Sequence, residues 1–145
     1  MGLDMYLRRE IHLTNSEGLD LPFVNTLNAD MEPYAWHFLT ASQLVMYWRK
    51  ANAIHGWLVD NVQQGDDDCG TYYVSINDLK SLASVCKEAL DKRDFELIPP
   101  REGFFFGSSE PDDYYWYNLQ DTHDKLMKLI EQHKPNYSYR YTSSW

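Results

Sequence analysis

A chain of 145 residues has room for one domain with a real hydrophobic core, and not for two of comfortable size. Hydrophobic residues at 43% and aromatics at 15%, with eleven Tyr and five Trp, exclude a disordered chain and supply flat faces for a core, an interface or a stacked ligand. A net charge of −9 argues against sequence-independent binding to DNA, RNA or anionic lipid, which runs on phosphate neutralisation, yet it allows a small anion held by a few local cations.

The segment LDMYLRREIHL sets Leu3, Met5 and Leu7 against Asp4, Tyr6 and Arg8, the period of a half-buried strand. Turn residues in TNSEGLDLP break the pattern, and YAWHFL reads as a short aromatic strand. Thr40 and Gln43 then have the spacing of a capping box, with Leu39 and Leu44 at the positions of a hydrophobic staple. Gly65 suits the left-handed residue past a helix end, so the longest helix is expected from Ala41 to Gln64. TYYV at 71–74 reads as a strand. Ser75 and Asp78 open a second helix, with Val74 and Leu79 as its staple, that ends near Asp91. FELIPP and GFFFGS are read as short extended pieces interrupted by Pro and Gly. A third helix is expected from around Pro111 to Lys134, with Asp112 and Asp113 near the positive end of its dipole and Pro135 as its stop. In the tail, Tyr137, Tyr139 and Tyr141 alternate as a closing strand. Three helices packed on a small, mainly antiparallel sheet make the class α+β, as a single domain over 1–145.

On a wheel of the expected long helix, Leu44, Trp48, Ala51, His55, Leu58 and Val62 form one stripe, with Asn52 at its edge and Arg49 flanking it. Lys50 points to solvent. Met46, Ala53 and Trp57 make a second apolar side, which predicts a homo-oligomer, most simply a twofold dimer, unless the same chain covers it. An inward His or Asn most often satisfies a group inside a core. His123 lies on an apolar stripe of the third helix, so it can meet His55 or share a cavity with it. Spacing offers no metal site and calls for no cofactor. A His pair four apart on one helix is absent, the two cysteines have no neighbouring His, and DDDC at 66–69 lacks the spacing of a calcium loop. Cys86 shares a stripe with Leu79, Leu82, Ala83 and Leu90 and is read as core.

GFFFGS carries the second feature with chemistry in it. Gly103 and Gly107 bracket three phenylalanines, and Ser108 and Ser109 lead into the third helix. Amides at that helix start, with the Ser108 hydroxyl, can hold a phosphate or carboxylate. Against this stands a plain strand with Phe104 and Phe106 in the core and Ser109 as a cap, and Glu110, Asp112 and Asp113 would repel an anion nearby. Joined to the long helix, the segment gives one candidate ligand pocket. It takes Trp48, Arg49, Asn52 and His55 from the helix, and Arg101, Phe104, Phe106 and Ser108 from the loop.

MGLDMYL at 1–7, YWRKANAIHGWLVDNVQ at 47–63, DCGTYYVS at 68–75 and LIPPREGFFFGS at 97–108 resemble, in this order, a family of small bacteriophage and prophage proteins commonly recorded as hypothetical. The chain departs from that pattern at Gly56, where a larger residue is usual, in PPRE before the Phe run, and in its Tyr-rich tail. The resemblance implies phage or prophage origin and work inside an infected bacterium. It brings no catalytic residue to carry over.

The zincin, dinucleotide, Walker and GxSxG patterns are missing, which removes the easiest enzyme assignments. Three functions follow, in order of preference. The first is a phage counter-defence protein that sequesters a small anionic, nucleotide-like ligand without catalysis, such as an immune signal of the host. The second is an acidic inhibitor that docks on a host protein as a nucleic-acid mimic. The third is a small hydrolase with His55 or His123 as general base. No leader and no apolar run of spanning length are read, so the host cytoplasm is expected, with free thiols, no membrane partner and no direct nucleic acid.

Overall fold

A computed structural model describes residues 2–12 and 40–145. The turn TNSEGLDLP, the run YAWHFL and the staple residue Leu39 fall outside those residues. Strands β1 (Asp4–His12), β2 (Thr40–Arg49), β3 (Thr71–Val74) and β4 (Tyr137–Ser144) form one antiparallel sheet in the order β2-β1-β4-β3. With helices α1 (Asn52–Asn61), α2 (Ile76–Lys92) and α3 (Asp113–Glu131), the fold is α+β.

The sheet buries one face. Met5 stands between Trp48 and Ser143, and Leu7 between Met46 and Tyr141. Because side chains alternate along a strand, this register places Leu3, Met5, Leu7, Met46, Trp48, Tyr139, Tyr141 and Val74 on the covered side, and all are buried. α2 contributes Leu79, Leu82 and Cys86 to the same core, and α3 contributes Tyr115, Leu119 and Leu126. Each such side chain is worth about 1.5–3 kcal/mol of burial. The Ser75–Asp78 capping box is present in full, and its staple residues Val74 and Leu79 are both buried.

The long helix does not form. Thr40–Arg49 is a strand, and the helical part of the segment is Asn52–Asn61 alone. Two physical causes stand out. The groups that imitate a capping box are engaged across the sheet: Arg9 donates to the Gln43 side chain at 2.6 Å, and the Thr40 hydroxyl meets His12 Nδ1 at 3.3 Å. A bulge also hides the strand period. Leu7 pairs with Met46 but Arg8 pairs with Leu44, so Val45 is the extra residue. That slip lets Leu44, Trp48 and Ala51 imitate helical spacing, although Leu44 is exposed. Gly65 does adopt the left-handed region, at φ +90°, and its N–H reaches Val59 O at 2.9 Å.

The second apolar side dissolves with the long helix. Met46 is buried under the sheet, Ala53 is buried at the start of α1, and Trp57 packs against the core, so the same chain covers all three. The extended pieces are turns instead. Phe95–Leu97 is one 3-10 turn, and Phe106 N–H closes on Gly103 O at 3.1 Å. Phe106 is buried while Phe104 is 95% exposed, so only one of the two expected core phenylalanines is in the core. α3 begins at Asp113, capped by Asp112, and ends at Glu131, short of Lys134. Among the described residues, no helix is long and apolar enough to cross a membrane.

Candidate binding cleft at the start of α1

The passage from β2 to α1 leaves a helix start open. Lys50 takes a left-handed conformation, φ 52°, which turns the chain between strand and helix, and its N–H is fixed to Leu3 O at 2.7 Å. Ala51 is the N-cap and has no side-chain oxygen to offer. The first helical bond is His55 N–H to Ala51 O at 3.0 Å, so the N–H groups of Asn52, Ala53 and Ile54 have no acceptor among the described residues. These three residues line a cleft of about 220 Å³, into which the helix directs its partial positive charge.

One wall is the Gly107–Ser108 turn. The Asn52 amide donates to Phe106 O at 3.2 Å and to Ser108 O at 2.7 Å, clamping the turn to the helix. Gly107, at φ +93°, lets the turn close on the junction: a Cβ there would stand 3.3 Å from Lys50 Cβ in a backbone shape that suits glycine. The other wall is α3. Tyr114 donates its hydroxyl to Arg49 O at 2.8 Å, and its exposed ring lies nearly parallel to that of Tyr117, centroids 6.3 Å apart. Asn118 lines the cleft at only 8% exposure, and its side-chain amide has no hydrogen-bond partner among the described residues. Its polar atoms keep contact with solvent in the cleft, so the amide is open to a ligand that displaces that solvent. The Lys50 and Glu110 side chains also border the cleft, both exposed, and neither is in an ion pair among the described residues.

The anion site expected at the start of α3 is closed. The Asp112 carboxylate accepts from Tyr115 N–H at 2.9 Å, and the Ser108 hydroxyl accepts from Glu110 N–H at 3.0 Å. The open amides belong to α1.

The eight residues expected to share one pocket separate into three groups. Asn52 and Ser108 line the cleft. Trp48, His55 and Phe106 lie in the core: Trp48 Nε1–H donates to the Thr122 hydroxyl at 2.8 Å, and the His55 ring meets Phe106 edge to face at 5.0 Å. Arg49, Arg101 and Phe104 point elsewhere. Arg49 follows the inward Trp48 on the strand and so projects from the opposite face of the sheet. Arg101 pairs with Asp60 at 3.0 Å, its stem lying where a Cβ on Gly56 would come within 3.1 Å.

His55 is fully buried and satisfied at both ring nitrogens, Nε2 by Asp67 at 3.0 Å and Nδ1 by the Tyr141 hydroxyl at 2.7 Å. Burial lowers its pKa, and the Asp67 carboxylate offsets this only in part. The ring is therefore neutral near pH 7, with Nε2–H donating to Asp67 and Nδ1 accepting from Tyr141. Trp145 Nε1–H holds the other Asp67 oxygen at 3.1 Å. This is a core histidine, sealed from any substrate. His123 does not meet it; that ring pairs with Asp124 at 3.0 Å and borders a groove between α2 and α3. No group of three or more His, Cys, Asp or Glu able to hold a metal occurs among the described residues.

Among the other lining residues, the sequence sets Lys50 in solvent and Ala53 on a second apolar side, and singles out none of Ile54, Tyr114 and Asn118. Tyr114 and Asn118 are four apart and share a helix face, which the sequence does show. The open amides were not readable, because finding them requires knowing that a helix begins after Ala51. The chain matches no protein-family model, no curated protein and no solved structure.

Proposed function

We propose that this protein captures a small, nucleotide-like anion in the cleft at the start of α1 and does not turn it over. The observation that carries this reading is the pairing of three open helix amides with the side chain of Asn118, a largely buried residue that makes no hydrogen bond among the described residues, around one cleft. Donors converging on a helix start are what a phosphate group needs, and they suit an acidic protein because backbone amides add no net charge. Lys50 adds one cation at the edge. The exposed Tyr114 ring gives a flat surface for a base at the mouth. The buried His55, with both nitrogens occupied, favours capture over hydrolysis. All the walls come from one chain, so capture does not call for a homo-oligomer. In the setting implied by the phage resemblance, the biological effect is removal of a host signal from the cytoplasm.

The test is mass spectrometry of small molecules released by denaturing protein purified from infected cells, with an Asn118→Asp variant in parallel. That substitution keeps the size of the side chain and puts a negative charge among the amides. A nucleotide released from the native protein and missing from the variant is expected. Equal release from both proteins, or release from neither, would sink the assignment.

A further inference from the structure

Resting on that reading, we infer that the cleft selects a singly charged phosphodiester group of a nucleotide over phosphomonoesters and polyphosphates, with the Glu110 carboxylate as the excluding residue. The charges around the cleft set this preference. The lining holds one ammonium, Lys50, and two carboxylates, Glu110 and Asp112. Asp112 is committed to the start of α3 through Tyr115 N–H, where that helix's own dipole offsets its charge. Glu110 has no ion-pair or hydrogen-bond partner for its carboxylate among the described residues, so its charge acts on whatever enters.

The attracting side is equally limited. The open end of α1 counts as roughly half a positive charge, and Lys50 is exposed and screened. Together they match one negative charge and not two beside Glu110. A phosphomonoester carries about −1.5 to −2 near neutral pH, and each further phosphate adds more, whereas a phosphodiester carries a single charge. The donors also fit the smaller charge. Amides at 52–54 and the Asn118 side chain can serve the two non-ester oxygens, while the esterified sugar continues towards Tyr114. There Glu110 can accept from a sugar hydroxyl or a base amine, so the group that repels a second phosphate charge also favours a nucleoside.

The experiment is titration calorimetry at pH 7.5 with 3′,5′-cyclic AMP, 5′-AMP and ADP, on the natural chain and on Glu110→Gln. The two AMP species carry the same base and sugar and differ in phosphate charge. Cyclic AMP is expected to bind at least about tenfold tighter than AMP, and ADP weakest, which is the size of an extra charge repulsion in a solvated site. Glu110→Gln should tighten AMP and ADP and remove most of that gap, with the melting temperature unchanged because Glu110 is exposed. If AMP binds the natural chain as tightly as cyclic AMP and Glu110→Gln shifts neither, the charge selection is wrong while capture at the cleft stands. If none of the three binds either protein, the nucleotide reading itself falls.

Discussion

His55 sits with its ring between Asp67 and Tyr141, and its protonation links the core to pH. Burial holds its folded pKa below the ordinary value near 6.5. As pH falls, the unfolded chain therefore takes up the proton first. The stability tied to neutral His55 is complete above pH ~6.5 and drains away as pH drops below it. Thermal unfolding scans should show a melting temperature that is level from pH 8 to 7 and declines from about pH 6.5 downward. Asp68 and Asp124, whose pKa values are held down by hydrogen bonds, lose their contributions only at lower pH, so the two effects are separable. A level melting temperature down to pH 5.5 would mean that His55 is not buried as described. Tyr141→Phe leaves the His55 acceptor nitrogen unpaired in the core and should cost about 1–3 kcal/mol in urea unfolding. The thiols give a simpler check. Burial pushes the Cys86 thiol up to about 12, while Cys69 is exposed. The native chain should therefore react with one equivalent of a thiol reagent, and the unfolded chain with two.

At the scale of elements, α2 shows what local signals can specify. Ser75 and Asp78 satisfy each other's backbone groups at 2.8 and 3.0 Å, and the staple beneath them is buried. Ser75→Ala should cost about 1–2 kcal/mol, read as a shift in the urea midpoint at constant slope. β1, α2 and β4 were legible in the sequence because alternation, capping and burial agree within each segment. β2 and α1 were not. The bulge at Val45 erases the strand period, and the apparent cap at Thr40 and Gln43 is taken up by His12 and Arg9, partners more than 25 residues away. No local pattern reports such pairing. The same error hid the site: Asn52 was readable as inward, but the open amides beside it belong to a helix start that the long-helix reading placed mid-element. Gly107 ties the two elements together. Gly107→Ala introduces a Cβ at φ +93° and 3.3 Å from Lys50 Cβ, so it should destabilise by about 1–3 kcal/mol and loosen the turn that Asn52 clamps.

For the molecule as a whole, anion capture by an acidic domain would have to concentrate its attraction in one place, and the place we propose is a helix start left without a side-chain cap. An open start is a stability deficit that evolution readily repairs, since a capping side chain at Ala51 would satisfy the amides from within. Ala51→Ser therefore separates folding from binding. Ala51 lines the cleft as the N-cap of α1, and a serine hydroxyl at an N-cap accepts from the N–H of the second or third helical residue, here Ala53 or Ile54. The variant should be more stable than the natural chain by about 1 kcal/mol in urea unfolding without ligand. Its affinity for cyclic AMP should fall by about tenfold, because the hydroxyl competes for the same donors. A gain of stability with unchanged affinity would show that the ligand bypasses the α1 amides. A loss of stability would show that those amides already have partners. Opposite signs from one hydroxyl are the expected signature of a helix start kept open for a ligand.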